Sequence, residues 1–268
     1  MEIASPVSFR EAVRILDAKK LMPTDLTSAQ LRALESGIRQ SSFYSAQTQL
    51  TDLLDNYKRG VQSIVAPAQV IREGAAFPVT EGFNPASLRT FIKQYLQSIS
   101  YTPEEGKRGG LQDLSSNARI SLVIDTNVRM AQGAGHFIQQ NDPGVVEAWP
   151  ALEFIRVEDR DKERDWATRW RNACEVAGDA TAMGVFGRTG RMAALKSSGV
   201  WQALGDGAGG YTDTLGNPFD PIAFSTGMGQ EEIDREEAVE LGLLKDGDEP
   251  EPAKFDFASL FGLGKEAA

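Results

Sequence analysis

The sequence is poor in the residues that most often carry metal and redox chemistry: among its 268 residues there is one histidine, His136, and one cysteine, Cys174. A lone cysteine forms no internal disulfide, and one of each falls short of the four nitrogen and sulfur ligands of a structural zinc site. Cys174 with His136 is the one conceivable thiol-imidazole pair, and an isolated cysteine is more often a small core residue. There is no Gly-x-x-x-x-Gly-Lys-Ser/Thr loop, which excludes phosphate cradling of the P-loop kind and with it a packaging ATPase. No apolar run approaches the roughly 20 residues that span a bilayer, and the start Met1-Glu2-Ile3-Ala4-Ser5-Pro6 lacks the basic and apolar segments of a signal peptide. The expectation is a soluble, unexported chain with no membrane partner and no cofactor. Positive charge is also short: 28 Lys and Arg against 38 Asp and Glu leave a formal net charge of −10. The resulting field repels nucleic acid, and no basic run opposes it, so strong nucleic-acid binding is not expected and protein partners are.

With 41% apolar and 25% charged residues the composition is that of a globular chain. Periodicity predicts a mainly helical α+β fold: an N-terminal helical lobe, a long central helix and a smaller C-terminal α+β lobe of short strands. Ser8 with Glu11 opens a first helix through Leu16, stopped by Pro23. A second starts near Asp25 or Thr27 and carries Leu31, Leu34 and Ile38; a third runs from Leu50 to Val61. Residues 1–66 are thus read as a helical region. Residues 67–110 are read as a connector followed by a helix through Leu88, Ile92 and Ile99, and then a flexible polar loop from Pro103 to Gly110.

Residues 111–244 are assigned to the central helix and the α+β lobe. The longest helix candidate spans Ser115 to Gln140, and its interior Gly133 and Gly135 each cost about 1 kcal/mol of helix propensity against alanine. Both are therefore candidate close-packing positions. Asp142-Pro143 opens a short helix, Leu152 to Val157 forms a strand, Trp166 and Trp170 lie one helical turn apart, and Met192 to Leu195 forms a second strand before a turn of helix with Trp201. Asp234 with Glu237 caps a last helix ending at Gly242.

Three segments imitate binding motifs. Gly184 to Gly190, with Arg188 and Thr189, offers backbone N–H groups to an anion but reads more simply as a turn. Gly205 to Gly210 lacks the alternating carboxylates of a calcium loop. Glu158, Asp159, Asp161 and Glu163 hold enough acid for Mg²⁺, yet Arg160, Lys162 and Arg164 interleave with them, as in a self-paired solvated segment.

The final residues, 245–268, form an acidic linker and an apolar tail. Lys245 to Pro252 contains four acids, two prolines and no apolar side chain apart from those prolines, a composition that stays mobile. Phe255, Phe257, Leu260, Phe261 and Leu263 follow, with Phe257, Leu260 and Phe261 at helical spacing, and suit a docking helix in a partner's groove; folding back onto the chain's own domain is the other reading.

Several strings together resemble the Mu F-like minor head proteins of tailed bacteriophages. Phe9-Arg10-Glu11-Ala12 with Lys20, Arg39-Gln40-Ser41-Ser42-Phe43 and Leu50 resembles that family's N-terminal helical part. Asp113 to Arg119 leading into Asp125-Thr126-Asn127 and Gly133 is similar to its helix with a Thr-Asn pair and small residues. Trp149-Pro150, the strand ending Arg156-Val157, the charged Arg160 to Arg169 stretch and the closing Asn217 to Met228 segment follow in order, so the resemblance spans residues 9–244. One departure is that Glu163-Arg164-Asp165-Trp166 stands, without histidine, where many members carry one. The resemblance implies a non-enzymatic minor head protein of head morphogenesis, located in the host cytoplasm during assembly and in the virion head. Its implied partners are portal, major capsid or scaffold protein, with homo-oligomerisation open. The alternatives are a divergent metal-dependent nuclease using the 158–163 acids and a cytosolic regulatory binding protein.

Overall fold

The computed structural model describes residues 10–66 and 82–255. The chain divides into two compact units, one within Met1–Gly135 and one over His136–Asp256, with the division inside a single long helix rather than ahead of it. Among the described residues there are eleven helices and five short strands, a mainly helical α+β fold.

In the first unit, α1 (Arg10–Ala18) buries Ala12, Ile15 and Leu16, one stripe at i, i+3, i+4. β1 (Lys20–Leu21) pairs in parallel with a later two-residue strand, Ser42–Phe43. The single helix expected through Leu31, Leu34 and Ile38 is two: α2 (Ser28–Arg32), capped by Thr27 and Gln30 reciprocally, and α3 (Ser36–Ser41). The N–H groups of Ala33 and Leu34 donate to Gln30 and Leu31, the tighter i−3 bonds that close a helix end, and the restart leaves Ile38 exposed. Ser42–Phe43 is β2. α4 (Thr51–Val65) and α5 (Pro85–Ser98) follow, the second with Asn84 as N-cap and Pro85 in its first turn. α6 (Asn117–Gln140) is the longest helix. Leu53, Leu54, Tyr57 and Val61 of α4, Leu88, Ile92 and Leu96 of α5, and Ile120, Val123, Ile124 and Ala131 of α6 close one core around Phe43. α4 and α5 approach closely at Gly60, where any Cβ would overlap the Leu88 side chain.

The second unit is organised on a sheet. After α7 (Pro143–Ala148), with Asp142 as N-cap and Pro143 in its first turn, comes β3 (Ala151–Arg156). α8 (Trp166–Ala177) and α9 (Ala180–Thr189) each end on a left-handed glycine, Gly178 and Gly190. α9 corrects the expected Gly184 to Gly190 turn: Asp179 accepts from Ala182 N–H, and Ala182 and Val185 pack inward, so capping and burial outweigh two unfavourable glycines. β4 (Ala193–Leu195), α10 (Val200–Gly205), β5 (Met228–Ile233) and α11 (Arg235–Glu240) complete it. The strands lie in the order β4-β3-β5, both pairings antiparallel.

Because side chains alternate across a strand, the sheet carries apolar layers on both faces. Leu152, Phe154, Ala194 and Met228 meet Trp166, Trp170 and Trp201, while Ala151, Ala193 and Ile233 meet Val185, Ala238, Leu243 and Leu244. Trp170 and Trp201 cross edge to face at 5.3 Å. The buried Lys196 is neutralised by Glu232 at 2.7 Å and also donates to the Gln140 carbonyl.

Candidate functional site

The thiol-imidazole reading fails at the thiol. Cys174 is buried on α8, and burial together with the nearby Asp179 carboxylate pushes its pKa up to about 12. At neutral pH it is a protonated core side chain.

The acids of the 158–165 segment are distributed rather than convergent. Glu158 pairs with Arg160 at 2.5 Å, Glu163 lies 3.8 Å from Arg156, and Asp165 caps α8 by accepting from Thr168 N–H at 2.9 Å. Among the described residues no three His, Cys, Asp or Glu side chains are gathered as a metal ion would require. The arginines of the segment do converge. Arg164 Nε lies 2.8 Å from Asp213 Oδ2, and Arg169 forks onto both Asp213 oxygens at 2.8 and 3.1 Å. The Arg169 guanidinium is held between the rings of Trp166 and Tyr211, 4.8 and 3.9 Å from their centroids. Arg164 also donates to the Phe224 carbonyl and Arg156 to that of Thr226. Burial alone would raise the Asp213 carboxyl, but the hydrogen-bonded Arg169 and the charge of Arg164 outweigh it and hold it below the ordinary carboxylate range. This is a planar, stacked arginine fork of the kind lysine does not replace.

Gly205 to Gly210 is a packing knot. A Cβ at Gly205 would meet the backbone of Asn217, one at Gly207 the Tyr211 carbonyl, and one at Gly209 the Asn172 amide, while Gly207 and Gly209 stand at φ +81° and +89°. Asn217 is completely buried and donates to the Pro221 carbonyl. A corresponding staple stands in the first unit: Asp113 accepts from the N–H groups of Gly109 and Ser115, Ser116 accepts from Arg119 N–H, and Arg119 reaches Ser45, Ala46 and Leu111.

Of the residues singled out in the tail, Phe255 is half-buried, its ring 5.9 Å from Phe137 and 6.4 Å from Phe219. The linker before it is tied down, with Arg235 donating to the Asp248 carbonyl and Ala253 N–H to Asn141 Oδ1. Phe257, Leu260, Phe261 and Leu263 lie outside the described residues. On α6, Gly135 is buried and Gly133 half-buried. The tryptophans divide, with Trp166, Trp170 and Trp201 in the core and Trp149 exposed at 44%. The arginine fork escaped sequence reading because Asp213 lies 44 residues from Arg169. The only available signal was the excess of arginine beside Trp166. No helix among the described residues is long and apolar enough to cross a membrane. Compared with known proteins, the chain matches no family model, no curated protein and no solved structure.

Proposed function

We propose that the chain is a structural, non-enzymatic minor head protein of a tailed bacteriophage. It acts in procapsid assembly at the portal or inner capsid and contacts portal, major capsid or scaffold protein. Its location is the host cytoplasm during assembly and the virion head. The observation that carries the reading is a junction between strings that, taken together and in their order along the chain, resemble the Mu F-like family. The closing Asn217 to Met228 segment is bonded directly to the charged stretch through Arg164 on Phe224, 60 residues away, and to the strand before that stretch through Arg156 on Thr226, 70 residues away. The third family-like string, Asp113 to Arg119, supplies the N-terminal staple of α6.

Mass spectrometry of purified procapsids and virions of the phage that encodes this chain tests the proposal. The chain is expected in one or both at low copy, and its absence from both would overturn it.

A further inference from the structure

The two outer edges of the β4-β3-β5 sheet are finished differently. On β4, the outward carbonyl of Leu195 is taken twice, by the Trp201 indole N–H at 2.9 Å and by Ser198 N–H at 2.9 Å, and Ala193 is completely buried. That edge is closed. On β5 the register settles which groups point outward. Phe154 N–H donates to Met192 on the β4 side, so in β3 the even positions face β4 and Ala151, Glu153 and Ile155 face β5. Their partners Ile233, Glu231 and Gly229 therefore point inward, and Met228, Gln230 and Glu232 point out. Thr226 occupies both outward groups of Met228, accepting from its N–H at 2.6 Å and donating to its carbonyl at 3.3 Å. The outward N–H and C=O of Gln230 and Glu232 have no partner among the described residues, and Glu231 and Glu232 are exposed.

An open edge is a template for another strand, and natural sheets protect theirs. Here the protection is charge. Glu231, and beyond it Glu236 and Glu240 of α11, are exposed and carry no ion pair among the described residues, while Arg191 and Lys196 are already committed to Glu153, Glu237 and Glu232. A second copy pairing on this edge would set glutamate against glutamate, which is destabilising. A strand bearing Lys or Arg would gain where the copy loses. We infer that the outer edge of β5 is a docking edge for an extended basic segment of another protein, added as a fourth strand through Gln230 and Glu232 and steered by the carboxylates beside them.

The test uses the full chain and a short synthetic peptide alternating lysine and valine. Two control peptides carry glutamate for lysine, or methyl groups on alternate backbone nitrogens. Amide hydrogen exchange by NMR is the readout. In the free protein the Gln230 and Glu232 amides exchange fast while Glu231 and Ile233 are protected. The lysine peptide slows the first pair at least about tenfold and the controls do not, and Glu231→Lys weakens lysine-peptide binding about fivefold at unchanged Tm. Equal binding of the glutamate or methylated peptide would overturn the proposal, as would prior protection of Gln230 and Glu232. If that protection vanishes on dilution, the edge belongs to a second copy; if it vanishes on truncation after Phe255, it belongs to the chain's own C-terminal segment.

Discussion

Replacing Gly60 by alanine puts two effects of known size in opposition. An alanine in the middle of α4 gains about 1 kcal/mol of helix propensity over glycine. Its methyl carbon, however, would lie 2.9 Å from Leu88 Cγ and nearer still to both δ carbons, and Leu88 is completely buried, with no solvent into which to turn. Overpacking of this kind costs about 1–3 kcal/mol, so Gly60→Ala should be destabilising by about 1 kcal/mol and lower the Tm of its transition by about 4 °C. Leu88→Ala alone should cost about 2–5 kcal/mol. In that background the methyl has room, so Gly60→Ala should become stabilising by about 1 kcal/mol. The assay is urea unfolding followed by circular dichroism for wild type, both single variants and the double variant, with the first unit's transition identified as the one that moves with Leu88→Ala. The sign reversal is decisive, because it cancels helix propensity and leaves the contact. If Gly60→Ala stabilises both backgrounds equally, α4 and α5 do not meet at that position.

Four further outcomes are expected. Cys174, buried and protonated, should resist alkylation at neutral pH until the chain is unfolded by denaturant, and rapid labelling of the native protein would contradict its placement. The depressed Asp213 carboxyl adds stability that is complete above the ordinary aspartate value of about 4 and is lost as pH falls below it. Thermal melts should therefore show the gap between wild type and Asp213→Asn closing in acid, and a gap independent of pH would dismiss the arginine fork. Phe255→Ala should lower the second unit's Tm, since each aromatic pair it forms contributes about 0.5–1.5 kcal/mol; an unchanged melt would mean that the ring is not seated on Phe137 and Phe219. On α6, Gly135→Leu should cost more than Gly133→Leu, because the first position is buried and the second half-buried, with overpacking of about 1–3 kcal/mol as the scale. Equal and negligible losses would remove both from the close-packing positions.

Where local chemistry decides, the structure follows the order of residues. Asp142-Pro143 and Asn84-Pro85 start helices because a side-chain acceptor and a proline lacking N–H satisfy the same helix end, and Thr27 with Gln30 does so reciprocally. The stripes of α1, α4 and α5 are visible as period because each buries a single face. Where a partner from elsewhere decides, local chemistry misleads. Asp234 and Glu237 have capping-box spacing, and Asp234 does accept from Glu237 N–H, but the Glu237 carboxylate is drawn to Arg191. Gly184 and Gly187 look like a turn, yet buried Ala182 and Val185 on either side of Gly184 make that segment helix.

β5, which like β1 and β2 has no strand signal in the sequence, shows the same division. Gln230-Glu231-Glu232 is polar at three successive positions, so β5 has no alternation to detect. Its strand character comes from partners: Ile233 and Met228 enter opposite apolar layers at its two ends. Gln230 ties to Asp220 N–H and the Pro218 carbonyl, and Glu232 answers the buried charge of Lys196. Each polar residue that hides the strand thus has either a task inside the fold or, like Glu231, none. The stretch whose polarity hides the strand from its sequence pattern is therefore the same stretch whose outward Gln230 and Glu232 backbone groups have no partner among the described residues.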